Sequence, residues 1–453
     1  MKQQWKWAGL AVALVLVACG GAKYWPALWS TQFTLRDAQT LERVSVVREL
    51  ADGSVQVAYQ RDLQSVVVDT YDAAGSLLRQ DVFDYAPNYD RRDGVPPLFA
   101  SDDVLYFFGN DPANSVKIDL VAQTASPLSA LLDLELAEGD IFRIAGAVIL
   151  DNGQLVLAGG DQRITNLSFR QARVAVLAAD GTAQTTVLPA LDTFSNLIAR
   201  AGTNQYFVQS FAPDLSIPST NATTFLGQGV NLVAQPQISQ GMLKLADLSG
   251  ALAVTGFAGG LFHYDANLQP DWQQDDVTPA AVVATPDRAY LITSSFGSND
   301  AKLTKLDSQG ATLWEKKIPA NALSNVSPVV SERDGSILFA EERHRYVRGA
   351  RKQAGDPPWF QYITTVDIGV KYWLLDAAGK ELARFQETEY HAVLQRDLTT
   401  GNLGTALEYR AGSCGQDRLL PLSSGDFVAV TDWCTDNSFY KKQKSLSYFQ
   451  LQQ

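Results

Sequence analysis

Short stretches of alternating apolar and polar residues, separated by turn residues, follow one another along most of the chain. The clearest lies at residues 303–318, LTKLDSQGATLWEKKI, where two such stretches flank the segment from Asp307 to Gly310. Asp can hydrogen-bond its own backbone and Gly tolerates positive φ, so this segment predicts a tight turn between two antiparallel strands. Trp314 is the large apolar residue of the second strand.

Two versions of this strand–turn–strand pattern alternate along the chain. The version just described ends a unit and recurs at 66–83, 173–188, 261–273 and 370–386, with a degenerate copy at 115–130. The other version begins a unit and occurs at 44–59, 97–109, 146–159, 196–211, 242–257, 281–295, 328–341 and 417–432. Each unit then has four strands, A to D. Most units begin about 40–50 residues apart, which is the repeat length of propeller blades.

The last unit lacks its D strand, and the front of the chain supplies a candidate for it. After its A and B strands the last unit has one further strand, within residues 444–453. Residues 27–35, ALWSTQFTL, are similar to the D strand at 311–320, with Trp29 in the place of Trp314. Pairing the two chain ends would close a ring and remove the exposed edge of the sheet array.

We therefore predict an all-β fold, an eight-bladed β-propeller formed as a single domain by residues 27–453 and closed by an N-terminal strand in the last blade. An elongated solenoid or a pair of sandwiches gives no reason to split one unit between the two chain ends. Seven blades is the alternative, because the C and D strands of the fourth unit have to come from the less regular segment 223–236.

The N-terminal residues 1–18 have the pattern of a secretory signal peptide. A basic start precedes the apolar run 8–18, which is too short to span a bilayer as an ordinary helix. The run ends in Leu-Val-Ala-Cys at 16–19, which resembles a bacterial lipobox. That resemblance implies that Cys19 is lipidated and begins the mature protein, followed by a short tether over 19–26. An ordinary signal peptide with Cys19 as a bystander is the alternative.

The signal also predicts where the protein resides. Several acyl chains on one residue give a stable membrane anchor. Gly20, rather than Asp, follows Cys19, and Asp at this position marks retention at the inner membrane in many enteric bacteria. We therefore expect a lipid-anchored protein on the periplasmic face of the outer membrane.

Charge and cysteine usage agree with an exported globular protein. The formal net charge is −12, from 37 basic and 49 acidic residues, which is the wrong sign for a nucleic-acid partner. Cys414 lies just before strand A of the last unit and Cys434 just after its strand B. These two ends of a hairpin are neighbours, and the periplasm is oxidising, so we predict a disulfide between them. A metal-binding or catalytic role for the pair is the alternative.

The long insertions are predicted to lie on one face of the ring. They occur at 161–171, 212–240, 343–366 and 388–416, which are connections from B to C or from D to A. Loops on a rigid scaffold commonly carry binding, although surface loops also tolerate insertion at little cost.

The insertion at 343–366 is basic and aromatic in an otherwise acidic protein. Arg and aromatic residues are enriched in the residues that dominate binding energy at interfaces. A solvated loop that offsets the negative charge of the ring is the alternative. The candidate partner-binding residues in this segment are Arg343, Arg345, Tyr346, Arg348, Trp359, Phe360 and Tyr362.

No catalytic or metal-binding motif is present in the sequence. His263, His344 and His391 are not spaced with one another or with a Cys as metal ligands would be. Nucleophile-elbow, zinc-protease, Walker and dinucleotide patterns do not occur. We therefore predict no catalytic residue, no metal and no cofactor, although carboxylates from separate blades could still meet at the central channel.

The turn-and-tryptophan pattern Asp307, Gly310 and Trp314 resembles the repeat of quinoprotein-type propellers, and the repeat covers most of residues 27–453. The enzymes of that family are quinone-cofactor dehydrogenases with a calcium site and cofactor-stacking tryptophans, which this sequence does not reveal. Its lipid-anchored, non-enzymatic members include propellers of the outer-membrane protein assembly machinery. The lipobox, the blade count and the Trp-Ser-Thr strand at Trp29 resemble those members.

These observations predict a lipid-anchored periplasmic propeller that acts as a protein-binding scaffold at the outer membrane through its loop-rich face. We expect a monomer attached to the membrane, with a protein partner in the outer membrane or periplasm. The alternative is a propeller enzyme, a hydrolase or lyase acting on a glycan or small ester, with its site at the mouth of the central channel.

Overall fold

The chain folds into a ring of eight β-sheets, the blades, with almost no helix. The computed structural model describes residues 24–25, 29–33, 45–61, 65–84, 95–165, 168–188, 196–211, 222–255, 260–275, 277, 279–296, 300–318, 328–349, 363–396, 403–434 and 442–450, and at some strand ends only their backbone. Two short 3₁₀ turns, Pro112–Asn114 and Leu128–Ala130, are the helical segments of this part of the chain. Within it, no helix has the length and apolar character needed to cross a membrane.

Blades 1 to 4 each consist of four antiparallel strands in the order A to D. Blade 1 has Ser45–Glu49, Val55–Gln60, Val66–Tyr71 and Leu77–Phe83, and blade 2 has Leu98–Phe99, Val104–Phe107, Val116–Asp119 and Thr124–Pro127. Blade 3 has Asp140–Ile149, Leu155–Arg163, Phe169–Leu177 and Ala183–Leu188, and blade 4 has Asn196–Arg200, Gln205–Phe211, Ala222–Gln228 and Asn231–Ala234.

Blades 5 to 8 repeat this arrangement, with additions in blade 7. Blade 5 has Met242–Asp247, Gly250–Val254, Gly260–Tyr264 and Pro270–Asp275, and blade 6 has Pro279–Ala284, Tyr290–Phe296, Asp300–Leu306 and Thr312–Ile318. Blade 7 has Val329–Val330, Ile337–Gly349, Ile363–Leu375 and Glu381–Gln386, joined by Tyr24–Trp25, Tyr390–Arg396 and Leu403–Arg410. Blade 8 has Gly412–Pro421, Phe427–Cys434, Lys442–Phe449 and Trp29–Phe33.

The predicted ring closure and the predicted number of blades are confirmed. The N-terminal strand Trp29–Phe33 pairs antiparallel with Lys442–Phe449, with Trp29 opposite Tyr448. The less regular fourth unit also forms its C and D strands, at Ala222–Gln228 and Asn231–Ala234. The fold is therefore an eight-bladed propeller rather than a seven-bladed one.

Strand A is the innermost strand of each blade and lines the central channel. The A strands of blades 3 and 4, of blades 4 and 5, and of blades 8 and 1 approach one another, as strands do where blades converge. Their residues are mostly half-buried on both faces, as in Asn196–Arg200, whereas the B strand Val55–Gln60 is buried throughout. This difference indicates that the inner strands border solvent in the channel.

The hydrophobic core is divided into clusters that lie between successive blades. One cluster joins Val57 and Val67 of blade 1 to Val430 and Leu446 of blade 8, so apolar packing closes the ring as well as strand pairing. At the same boundary the exposed Ser423 donates its backbone N–H and its hydroxyl to the carboxylate of Glu49, at 2.8 and 2.7 Å.

The Asp, Gly and Trp pattern of the sequence has a packing role between blades. Trp314 of blade 6 donates its indole N–H to the carbonyl of Ala377 in the C–D turn of blade 7, at 3.2 Å. Its ring lies so close to Gly379 that an added Cβ would be 3.0 Å away, and Gly379 has a φ of 80°. Trp272 of blade 5 donates in the same way to Ser308 of blade 6. The turn aspartates cap their own turns, as Asp376 does by accepting the N–H of Lys380 at 2.8 Å.

The end of the predicted tether is itself part of the ring. Tyr24–Trp25 pairs in parallel with the outer strand Glu381–Gln386 of blade 7, with Tyr24 opposite Arg384. The segment expected to be a tether over 19–26 therefore contributes a strand at its C-terminal end. Parallel strands start at the same end. Tyr24–Trp25 therefore starts at the end where Glu381 lies, which is the C–D turn side of blade 7.

Candidate partner-binding surface on blade 7

Blade 7 carries two additional strands in its sheet that the described parts of the other blades lack. Its B and C strands, Ile337–Gly349 and Ile363–Leu375, are each 13 residues long. In the other blades these strands have four to nine residues. The two long strands pair along their whole length, from Ile337 opposite Leu375 to Gly349 opposite Ile363. We call the outer part of this sheet the blade 7 extension: residues 343–349, 363–369, 390–396 and 403–410.

The extension adds two strands to the outer halves of strands B and C. Tyr390–Arg396 continues the course of strand D and pairs with residues 363–368 of strand C. Leu403–Arg410 then pairs with Tyr390–Arg396 and leads into strand A of blade 8. The extension therefore lies on the face of the ring where strands B and C are joined and where D leads to A.

The insertions at 343–366 and 388–416 were expected to be loops, and that expectation is wrong for much of both. Residues 343–349 and 363–366 are strand, as are 390–396 and 403–410. Residues 343–349 show no alternation of apolar and polar residues, whereas 363–368 is rich in β-branched residues, which favour strands. Their location at the B–C and D–A connections agrees with the predicted face.

Two glycines and a serine allow strand D to leave blade 7 and enter the extension. At this junction Ser413 of blade 8 donates its backbone N–H to the carbonyl of Thr388, at 2.7 Å, and its hydroxyl accepts the N–H of Val370. A Cβ at Gly412 would overlap the backbone of Glu389, and one at Gly369 would lie 2.6 Å from Cγ of Glu389. Only glycine fits these close approaches without displacing its neighbours.

The structure places some of the predicted partner-binding residues and not others. Arg343, Arg345, Tyr346 and Arg348 lie in strand Ile337–Gly349, and their side chains are outside the described ones. Trp359, Phe360 and Tyr362 lie outside the described residues altogether.

A row of ionisable residues crosses the base of the extension, and the sequence alone did not reveal it. The strand register places Arg345 opposite Asp367, Asp367 opposite His391, and His391 opposite Arg410. Nδ1 of His391 lies 2.6 Å from Oδ1 of Asp367, and both side chains are about one-third exposed. Arg410 and the neighbouring Tyr409 are exposed, Tyr409 to 49%. These residues come from four different strands between Ile337 and Arg410, and the strand register brings them side by side.

A buried carboxyl group lies beneath the extension, between blades 7 and 8. Glu387 accepts a hydrogen bond from the Thr431 hydroxyl at 2.9 Å, and the Tyr372 hydroxyl lies 3.5 Å away. Burial raises the pKa of Glu387 to about 7, and the hydroxyl groups of Thr431, Ser447 and Tyr372 offset this only in part. Its sequence context, Gln-Glu-Thr-Glu, gives no signal of such burial.

The cysteines lie at the first strand pair of blade 8, next to the extension. The register places Gly412 opposite Cys434 and Ser413 opposite Trp433, and Cys434 is fully buried. The side chain of Cys414 and the whole of Cys19 are outside what is described. The Cys414–Cys434 disulfide and the lipidation of Cys19 therefore stay predictions.

A second polar cluster, between blades 5 and 6, is built for packing. His263 is 5% exposed, lies 2.9 Å from Asp271 and 3.0 Å from the Tyr290 hydroxyl, and stacks on Trp272. Burial lowers the pKa of His263 more than the Asp271 hydrogen bond raises it. Across the described residues, no group of three or more His, Cys, Asp or Glu is arranged to hold a metal ion.

The known proteins that resemble this chain do so distantly. No family model matches the chain, and no curated protein matches it. Among solved structures, the Dos1 propeller covers 92% of this chain and 95% of its own, at 11% identity and a TM-score of 0.47. A eukaryotic initiation factor covers 79% and 96%, at 11% identity and a TM-score of 0.40.

A quinoprotein alcohol dehydrogenase-like protein from Bacteroides thetaiotaomicron covers 76% of this chain and 88% of its own, at 13% identity and a TM-score of 0.33. All three likenesses concern the fold and carry no argument about activity or partners.

Proposed function

We propose that this protein is a lipid-anchored periplasmic scaffold at the outer membrane, and that the blade 7 extension is the surface on which it holds a protein partner. The observation that carries the proposal is the extension itself. The four strands of blade 7 and the ring closure are complete without it, so it has no evident role in forming the ring. It nevertheless extends two long strands by continuous pairing and anchors them at a tightly packed junction.

The construction of the extension suits binding. A surface built on paired strands loses less conformational entropy on association than a flexible loop does. Its base presents the exposed Tyr409 and Arg410 beside Asp367 and His391, whose side chains are about one-third exposed. Tyr and Arg are the residue types that most often dominate interface energetics. The edge of strand Leu403–Arg410 would extend the contact area.

Site-specific photo-crosslinking in living cells tests the proposal. A photoreactive residue would replace Tyr409 in one variant and Val121 in another, because Val121 is 72% exposed in the C–D turn of blade 2 on the opposite face. We expect one discrete protein adduct from position 409 and none from position 121. Adducts of equal strength from both positions, or none from position 409, would contradict the proposal.

A substitution series separates the contribution of the exposed residues. Tyr409→Ala and Arg410→Ala should each weaken copurification of the partner identified by the crosslink by about tenfold, equivalent to 1.4 kcal/mol. The matched control is Val121→Ala, which should leave copurification unchanged. Thermal unfolding of all three variants should be close to that of the wild type, since exposed side chains contribute little to folding.

A further inference from the structure

The outer strands of blades 6, 7 and 1 share a feature that the described outer strands of the other blades lack. Each C–D turn contains a residue with positive φ, and in these three blades it is Gly310, Gly379 and Gly75. Three residues later each of these blades has an exposed leucine, Leu313 at 53%, Leu382 at 47% and Leu78 at 57% exposure. At the same position blades 2 to 5 have Ser126, Gln184, the half-buried Leu232 and Asp271.

Basic residues are also concentrated in the outer strands and C–D turns of blades 6, 7 and 1. The C–D turns and outer strands of blades 6, 7 and 1 contain Lys316, Lys317, Lys380, Arg384 and Arg79. The corresponding described segments of blades 2 to 5 contain no Lys or Arg, and blade 5 has Asp265, Asp271 and Asp275 there. The same segments of blades 6, 7 and 1 also contain acidic residues, so it is the presence of long basic side chains, and not a positive net charge, that distinguishes this part of the rim. The acidic residues are Asp72, Asp81, Asp307, Glu315, Asp376 and Glu381.

The course of the N-terminal segment points to the same arc. Tyr24–Trp25 runs parallel to Glu381–Gln386, so the chain enters this strand at the C–D turn side of blade 7. The chain then continues into Trp29–Phe33, the outer strand of blade 8, which lies between blades 7 and 1. Cys19 precedes Tyr24 by only a few residues, and each residue spans at most about 3.6 Å.

We propose that the C–D turn side of blades 6, 7 and 1, which we call the leucine rim, rests on the phospholipid surface of the membrane. Exposed leucines enter the boundary between headgroups and acyl chains, while the long side chains of the exposed Lys317 and Lys380 reach the phosphates. Each contact is weak by itself. A short tether, however, converts it into an intramolecular contact with a high effective concentration.

This contact fixes how the ring is oriented. The blade 7 extension lies on the opposite face, where strands B and C are joined, and therefore points away from the membrane. Its partner is then a water-exposed periplasmic protein or domain rather than a segment within the bilayer. The inference uses the lipid anchor of the proposed function and is independent of its protein partner.

The test places a photoreactive residue at Leu78, Leu313 or Leu382 of the full chain in living cells. Val233 is the matched control, because it is apolar, 61% exposed and on the outer strand of blade 4, across the ring. After irradiation, mass spectrometry of the modified peptide identifies the adduct. We expect phospholipid adducts at the three leucine positions, several-fold above those at Val233.

The other outcomes would overturn the inference. Lipid adducts as frequent at Val233 as at the leucines would mean nonspecific contact. Protein adducts in place of lipid adducts would make the leucine rim a protein interface, and no adduct at any of the three leucines would leave it facing water. In each of these cases a discrete protein adduct at Tyr409 would still support the partner-binding role of the extension, so the two proposals fail separately.

Discussion

Glu387 shows how a single buried group can connect the extension to the ring. Its carboxyl group is enclosed between blades 7 and 8, with the hydroxyl groups of Thr431 and Tyr372 as neighbours. A neutral carboxyl group with hydroxyl neighbours can be buried at modest cost, whereas an ionised one cannot without a compensating cation. The ionisation state of Glu387 therefore bears directly on the packing beneath the extension.

We expect Glu387→Gln to remove part of the pH dependence of stability. The folded protein holds this proton up to a pKa of about 7, whereas the ordinary value is 4.5. Between these values the folded state binds more protons, so the stabilising contribution is full below the ordinary pKa and is lost as pH rises through about 7. At 1.36 kcal/mol per pKa unit, the loss is on the order of 3 kcal/mol. Urea unfolding from pH 5 to pH 8 measures it.

The control for this experiment is Glu389→Gln, a partly exposed carboxyl group two residues away. It shows whether a change in the slope of unfolding free energy against pH is specific to position 387. An unchanged slope in Glu387→Gln would show that Glu387 does not hold a proton in the folded state.

Gly412 and Gly369 make a second prediction for the same junction. Gly412→Ala places its Cβ against the backbone of Glu389, whereas Gly369→Ala meets only the flexible side chain of Glu389. Overpacking against backbone costs about 1–3 kcal/mol, and a movable side chain relieves much of that. Gly412→Ala should therefore lower the free energy of unfolding more than Gly369→Ala. The reverse order in chemical denaturation would contradict the geometry of the junction.

At the scale of elements, local sequence signals were sufficient to predict most strands, but they were insufficient to predict the strands added to blade 7. The turn from Asp307 to Gly310 is specified by its own residues, so its prediction needed no knowledge of distant contacts. The strand at Tyr24–Trp25 was missed because its pairing with Glu381–Gln386 joins distant parts of the chain. The charged run at 343–349 was interpreted as a loop because its pairing with 363–369 comes from a register that composition does not disclose.

Trp314→Ala should destabilise the boundary between blades 6 and 7. It removes the indole packed against Gly379 and the hydrogen bond to Ala377. Truncation of a packed Trp costs about 3–5 kcal/mol, and Trp314→Phe, which removes chiefly the hydrogen bond, should cost about 1 kcal/mol. Leu313→Ala on the same strand is the control, since Leu313 is 53% exposed and should change unfolding by no more than about 0.5 kcal/mol. Equal effects of Trp314→Ala and Leu313→Ala would contradict the interblade role.

At the scale of the whole molecule, stability depends on joining the two ends of the chain. Trp29–Phe33 forms the outer strand of blade 8, and the apolar cluster of Val430 and Leu446 continues into blade 1. The ring was predictable because a displaced strand can be recognised from its similarity to the other D strands. The clusters between blades were not predictable residue by residue, since each depends on how two neighbouring sheets pack.

Leu446→Ala should loosen the closure of the ring selectively. Leu446 is fully buried, pairs with Thr31 of the N-terminal strand and packs in the cluster shared with blade 1. Removing such a side chain costs about 2–5 kcal/mol. Hydrogen exchange followed by mass spectrometry should show faster exchange in residues 29–33 and in blade 1. The control is Leu157→Ala, at an equally buried position in blade 3. It should be similarly destabilising, but exchange at residues 29–33 should not become faster than exchange in the rest of the protein.

The pairing of Trp29–Phe33 with Lys442–Phe449 also sets an order of events during biogenesis. The N-terminal strand is synthesised early, but it cannot pair with its partner until almost the whole chain has been translated. Joining such distant segments is slow because of the entropy of closing the intervening loop. Until then the nascent ring has two open sheet edges, which favour aggregation and expose the chain to proteases. A chain interrupted before residue 442 could never complete blade 8, so closure distinguishes finished molecules from truncated ones.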